Sequence, residues 1–257
     1  MPTVTFLLVN RTVKKSIAMK YLFILLTTIF STAAFSQESK MVNDPNAHSR
    51  ALNASFSAIS VTDGIELYLS ASTEESLAVS YSDEKYARYF KTEVENGTLK
   101  IYYDHNAINY SDNNRRKLKA YVSFKTLDKL TASGGAHVKI PVAISVNDLS
   151  IRFSSGAVLD AAINGNSLSV EQNSGAQVSV TGKAGKINVE VSSGAIFKGF
   201  DFAVDYCEAK ASSGGSVRIA VQKELSAKAN SGGGIRYKGN AVIKDIDISS
   251  GGIVKKA

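Results

Sequence analysis

The chain has 257 residues, with 30 Lys and Arg against 23 Asp and Glu, and a formal net charge of +7. Residues 1–36 hold four basic residues and no acidic one, so much of the excess positive charge belongs to that segment. The high pI is therefore poor evidence for a nucleic-acid-binding protein, and we expect no nucleic-acid partner. Three prolines, no tryptophan and 19 glycines suit an all-β protein with tight turns.

The N-terminal segment has the pattern of a secretory signal peptide. An apolar run from Tyr21 to Phe30 follows Lys20, and small residues precede Gln37. We predict a leader over residues 1–36, with Met19 as its natural start and cleavage after Ser36. The run is shorter than the ~20 apolar residues of a membrane-spanning helix. The sequence therefore predicts an exported protein, in the periplasm, at the outer membrane or on the cell surface, with no transmembrane segment in the mature chain.

Residues 37–53 are polar and aperiodic, and we interpret them as a linker. From residue 54 onward, apolar and polar residues alternate, as in Ile65, Leu67 and Leu69, which indicates half-buried strands. Asn96-Gly97 stands between two apolar runs and predicts a hairpin. Residues 54–257 are therefore predicted to form one β-rich domain.

Seven copies of a Ser-Gly phrase organise the rest of the chain. The steps between successive serines are 22, 19, 19, 20, 18 and 19 residues. This period predicts a single-stranded β-helix-like solenoid with coils of about 19 residues, preceded by a β-rich N-terminal part. The phrases begin at Ser133, Ser155, Ser174, Ser193, Ser213, Ser231 and Ser250.

Aligning the coils on their serines predicts which side chains face inward. The position six before the serine is apolar in most coils, as are those four before and four after, and such columns stack inside a solenoid. Cys207, the only cysteine, falls in one of them and is expected to be a small core residue. The glycine after each serine is expected to form a corner of the coil.

With these features, the chain resembles the head GIN domain family, whose members are described as auto-transporter adhesins of Bacteroidetes-type bacteria. The resemblance rests on Phe56-x-x-Ile59-x-Val61-x-x-Gly64-Ile65, on Asn96-Gly97-x-Leu99-x-Ile101, and on the segment from Leu130 to Gly135 with the Ser-Gly coils after it. It covers about residues 54–254. It implies an exported β-helix-like solenoid and brings no catalytic residues.

One outward column, five residues after the serine, ends in four basic residues: Lys198, Arg218, Arg236 and Lys255. We predict that they form a stripe along which an anionic glycan or another envelope component could lie. The alternative is a solubility-promoting face that prevents sheet pairing.

A second outward column, three residues before the serine, contains Glu171 and Glu190 among residues of both charges. The sequence leaves open a ladder of cross-strand ion pairs, with Arg152 meeting Glu171, Glu190 meeting Lys210 and Lys228 meeting Asp247. It also leaves open that Glu171 and Glu190 form a carboxylate pair with the ~5 Å spacing of a retaining glycosidase. The three histidines are scattered and no metal-binding motif is present, so neither a metal nor a cofactor is predicted.

These observations favour an exported, adhesin-like binding module of the cell envelope or surface, without catalysis. The alternatives are a polysaccharide-active enzyme, either glycoside hydrolase or lyase, and a purely structural envelope scaffold. Lys244 interrupts an inward column of the last coil, while Val254 lies inward three residues before Ala257. A bare final coil would expose strand edges, so a homo-oligomer is also predicted.

Overall fold

Parallel strands, stacked coil upon coil, make up most of the computed structural model, which describes residues 44–105 and 116–257. The predicted leader, residues 1–36, lies outside the described residues. The strands are β1 (His48–Arg50), β2 (Ala58–Val61), β3 (Glu66–Ala71), β4 (Ser76–Tyr81), β5 (Phe90–Glu95), β6 (Thr98–Tyr103), β7 (Leu118–Phe124), β8 (Lys129–Ala132), β9 (His137–Phe153), β10 (Val158–Gln172), β11 (Gln177–Val191), β12 (Ile196–Ala211), β13 (Ser216–Ala229), β14 (Gly234–Lys238), β15 (Val242–Ile248) and β16 (Ile253–Lys256). A short 3-10 helix spans Glu84–Tyr86.

The strands form one continuous ladder, in the order β1-β4-β7-β3-β9-β10-β11-β12-β13-β14-β16, and β15 pairs with β13. Strands β9 to β13 have 14 to 17 residues, and each follows most of one coil. All the pairings from β9 to β16 are parallel. The predicted all-β solenoid with coils of about 19 residues is confirmed.

The inward columns lie in register and are buried. Leu149, Leu168, Ile187, Cys207 and Leu225 occupy one column on successive strands. The Cys207 side chain is 6% exposed, and burial raises the pKa of its thiol to about 12. Because like side chains stack on like, each coil covers the apolar positions of the coil before it.

One inward position differs from the prediction. Leu225 pairs with Ile243, and a register shift follows immediately, so Lys244 occupies a bulge and does not enter the column. Serine-based alignment placed Lys244 there because it cannot detect an extra residue within a strand.

The Ser-Gly phrase forms the predicted corner. At the third corner Ser174 has φ 51° and Gly175 has φ 73°, and the backbone N–H of Ala176 donates to the carbonyl of Asn173 at 3.1 Å. Two successive positive φ values with this bond match a type I′ turn. The N–H of Gly175 also donates to the carbonyl of Ser193 in the next coil, at 3.1 Å. The corner backbones are therefore linked along the solenoid.

The N-terminal part supplies the first coils of the same ladder. Strand β2 pairs in parallel with β6 and β8, while β3 pairs in parallel with β7 and β9. Antiparallel pairs, β1 with β4, β4 with β7 and β5 with β6, lie at this end. The stretch expected to be a linker contains β1, where Arg50 Nη1 donates to the carbonyl of Phe90 at 2.6 Å. That bond joins β1 to β5.

Candidate functional site

The four basic residues of the predicted column lie on successive strands of the ladder. Lys198 on β12 aligns with Arg218 on β13, which aligns with Arg236 on β14, which aligns with Lys255 on β16. All four side chains are exposed. Neighbouring strands lie ~4.8 Å apart, so the four charges form a continuous line along the solenoid. We call these four residues the basic stripe.

The basic stripe is largely unneutralised. Lys198 Nζ donates to Gln177 Oε1 at 3.2 Å, which leaves its charge uncompensated. In the part of the chain that the structure describes, no ion pair joins Arg218, Arg236 or Lys255 to a carboxylate. Stacked like charges are destabilising. An anion bound along the line would relieve that repulsion.

Charged groups on the same face are paired nearer the N-terminal coils. The column continues from Lys198 through Ser179 and Asp160 to Lys139. His137 Nε2 lies 2.9 Å from Asp160 Oδ2, and Lys139 Nζ donates to the Glu66 carboxylate. Burial raises the pKa of Glu66, but hydrogen bonds from Lys139 and Tyr68 outweigh it, so the pKa lies below its usual value. The uncompensated charge on this face is therefore concentrated on β12 to β16.

The surface on one side of the basic stripe is uncharged. The outward residues two positions earlier on the same four strands are Ile196, Ser216, Gly234 and Ile253. None of them carries a carboxylate that could compete for the cations. An extended ligand could approach the basic stripe over this surface.

The predicted carboxylate pair, Glu171 and Glu190, lies in the other outward column and not in the basic stripe. Glu171 and Glu190 align on β10 and β11, and both are exposed. Arg152 Nε lies 3.0 Å from Glu171 Oε2, as the ion-pair ladder predicts. Lys210 Nζ lies 3.4 Å from Glu208 of its own strand, so the predicted pairing of Glu190 with Lys210 does not form. The predicted pair of Lys228 and Asp247 aligns in register without an ion pair among the described residues.

A groove of about 540 Å³ was not predicted from the sequence. It crosses β9 to β13, with Asn164, Lys183 and Gln222 among its polar lining and Ala184 among its apolar lining. The sequence signal for this groove is the presence of two glycines, Gly165 and Gly185, outside the Ser-Gly phrases. A Cβ at Gly185 would lie 3.0 Å from the carbonyl oxygen of Asn166. Neither glutamate of the carboxylate pair lines this groove.

Within residues 44–105 and 116–257, no group of three or more His, Cys, Asp or Glu side chains could hold a metal ion. None of the helical residues in these ranges forms a helix with the length and apolarity that a membrane span requires.

The ladder, the Ser-Gly corners and the exposed column define a single-stranded β-solenoid that presents an extended surface. The family model described as "Putative auto-transporter adhesin, head GIN domain" matches residues 55–241. The chain therefore belongs to the head GIN domain family, as the sequence resemblance predicted.

Solved structures of bacterial proteins share the fold. A putative adhesin from Bacteroides fragilis has a TM-score of 0.73 and 18% identity, over 83% of this chain and 98% of that chain. A putative adhesin from Parabacteroides merdae has a TM-score of 0.65 and 18% identity, over 83% and 97%. A putative lipid binding protein from Parabacteroides distasonis has a TM-score of 0.60 and 24% identity, over 82% and 97%. A search of curated proteins finds no match.

Proposed function

We propose that this protein is an exported, non-enzymatic binding module of the cell envelope or surface, which contacts an anionic glycan through the basic stripe. The observation that carries the proposal is the alignment of Lys198, Arg218, Arg236 and Lys255 on successive strands, with no carboxylate paired to the last three among the described residues. Membership of an adhesin-like family and the predicted leader support a location outside the cytoplasm.

The geometry of the basic stripe suits a polymer better than a small molecule. One exposed cation contributes little binding energy, but a chain with anionic groups at intervals meets several cations that repeat at ~4.8 Å. Arg218 and Arg236 each offer a planar fork that fits a carboxylate, sulfate or phosphate in bidentate fashion. Because the contacts are exposed, added salt should weaken the binding.

The test measures binding of the purified protein to polygalacturonate and lipopolysaccharide, with dextran as the neutral polymer. We expect binding to the anionic polymers alone, and Arg218→Gln with Arg236→Gln should weaken it by about tenfold or more, equivalent to ~1.4 kcal/mol. The matched control is Lys210→Gln with Lys228→Gln, which removes the same charge from the other outward column. Equal losses in the two double variants would contradict the proposal, because they would reflect net charge alone.

Two additional measurements distinguish the proposal from a lipid-binding function and from an enzymatic one. Phosphatidylglycerol vesicles test the lipid-binding description carried by the Parabacteroides distasonis protein. Binding to vesicles without binding to either polysaccharide would contradict a glycan ligand. Release of reducing ends from the polysaccharides, abolished by Glu171→Gln or Glu190→Gln, would instead support the glycoside hydrolase alternative.

A further inference from the structure

The exposed apolar side chains of the described chain are concentrated at one end of the solenoid. Five of the seven large exposed ones lie on β15 and β16, with exposed fractions between 38 and 71%. They are Val242, Ile243, Ile246, Ile248 and Ile253. A contiguous apolar patch of this kind is typical of an interaction site.

Three of these residues continue the inward columns of the core. Ile243 aligns with Leu225, Ile246 with Ala227 and Ile248 with Ala229. On β13 the same positions are buried. Within residues 44–105 and 116–257, β15 pairs only with β13 and β16 only with β14. The patch therefore combines uncovered core positions with two strand edges whose backbone groups are available for pairing.

The surface that fits this patch is another strand edge that carries apolar columns. The opposite end of the solenoid does not provide one, since no large apolar side chain of residues 44–105 is among the exposed ones. The matching surface in the described chain is the same edge on a second copy. Two identical edges that meet are related by a two-fold axis, which makes neighbouring strands antiparallel and closes the assembly at two copies.

The charges indicate which strands meet. At outward positions β15 carries Asp245 and Asp247, whereas β16 carries Lys255. If β15 met β15 of the second copy, aspartates would face aspartates, which is unfavourable. If β15 meets β16, an antiparallel register places Asp247 opposite Lys255 and Ile248 opposite Val254. The crossed arrangement pairs opposite charges at the first of these positions and apolar side chains at the second.

We propose that β15 and β16 form a docking surface for a second copy of this chain, in a two-fold dimer with β15 of each copy beside β16 of the other. The dimer goes beyond the proposed glycan binding and does not depend on it. In the dimer Lys255 would pair with Asp247 of the second copy, and Lys198, Arg218 and Arg236 of the basic stripe would remain for the glycan. It extends the β-ladder from one copy into the next and covers Ile248, which is 49% exposed at an inward position.

Sedimentation velocity of the purified protein over a micromolar concentration series tests this arrangement. We expect a dimer, and Ile248→Asp should raise its dissociation constant by about tenfold or more, the loss expected for one buried apolar contact. Val142→Asp is the matched control, because Val142 is also exposed (60%) but lies on β9. Asp247→Lys should weaken the dimer, and adding Lys255→Asp to it should restore the dimer.

Thermal unfolding of each variant, measured in parallel, verifies that it is folded. A wild-type monomer throughout the series would overturn the proposal. So would growth beyond the dimer with concentration, or an equal loss in Val142→Asp and Ile248→Asp. Because the measurement reports mass alone, a failure of glycan binding would leave this result unaffected.

Discussion

At six of the seven Ser-Gly corners of the solenoid, a serine and then a glycine adopt positive φ. The sequence predicted the glycine corner but did not predict that the serine also adopts this conformation, with φ between 47 and 51° from Ser155 onward. Serine gives no signal for it, because asparagine, aspartate and glycine are the usual residues with positive φ. In the first repeat, Gly134 and Gly135 hold the two positions, with φ 58° and 74°, so Ser133 lies one residue earlier than its counterparts.

Replacement of a corner glycine tests the cost of that backbone conformation. Gly175→Val should lower the free energy of unfolding by about 1–3 kcal/mol, because a β-branched residue is strained at positive φ. A Cβ at Gly175 would meet nothing within 4 Å, so the cost would come from the backbone and not from a clash. Gly175→Asn should cost less, since asparagine tolerates this region. Denaturant unfolding measures both variants, and equal stability of Gly175→Val and wild type would refute the argument.

At the scale of elements, the connection between β2 and β3 is held by a partly buried carboxylate. Asp63 accepts hydrogen bonds from the backbone N–H of Tyr103 at 3.1 Å, from His105 Nε2 at 3.1 Å and from the Thr62 hydroxyl. Burial raises the pKa of Asp63, but these hydrogen bonds outweigh it and the pKa lies below its usual value. The carboxylate therefore joins the connection to the strand end at β6.

This arrangement predicts a pH dependence of stability. A carboxyl group whose pKa is lowered on folding stabilises the protein above its unfolded pKa, and that stability is lost as pH falls through the folded pKa. Between pH of about 5 and 3, around the ordinary aspartate pKa of ~3.9, wild type should lose more stability than Asp63→Asn. Denaturant unfolding at each pH measures the difference. Asp201→Asn, an exposed carboxylate on β12, serves as the control and should follow wild type.

The sequence predicted the elements of the solenoid better than those of its N-terminal coils. A fixed period aligns residues on neighbouring strands, and so it predicted the alignment of Lys198, Arg218, Arg236 and Lys255. The period could not predict the pairing of β2 with β8, because strands β3 to β7 and connections of unequal length lie between them. It also missed the bulge at Lys244, where one extra residue shifts the register. It missed the groove as well, whose lining residues lie next to register shifts in the pairings of β9 to β13.

At the scale of the whole molecule, the predicted leader determines where the mature protein should begin, independently of the fold. Because residues 1–36 have the pattern of a signal peptide, the protein recovered from its native host should begin near Gln37. Mass spectrometry of the intact purified protein measures this. A mass that includes residues 19–36 would contradict the export on which the proposed function depends.

The parallel ladder from β9 to β16 also determines how the molecule responds to mechanical force. Its backbone hydrogen bonds run along the stacking direction, from coil to coil. Tension that is applied at one end along that direction acts on the hydrogen bonds of one coil at a time. The coils would therefore separate one after another. Tension across the stack loads many bonds together in shear and meets greater resistance. If a ligand binds along the basic stripe as proposed, it would contact several coils at once and distribute the load among them. Such attachment would resist flow better than attachment to the last coil alone.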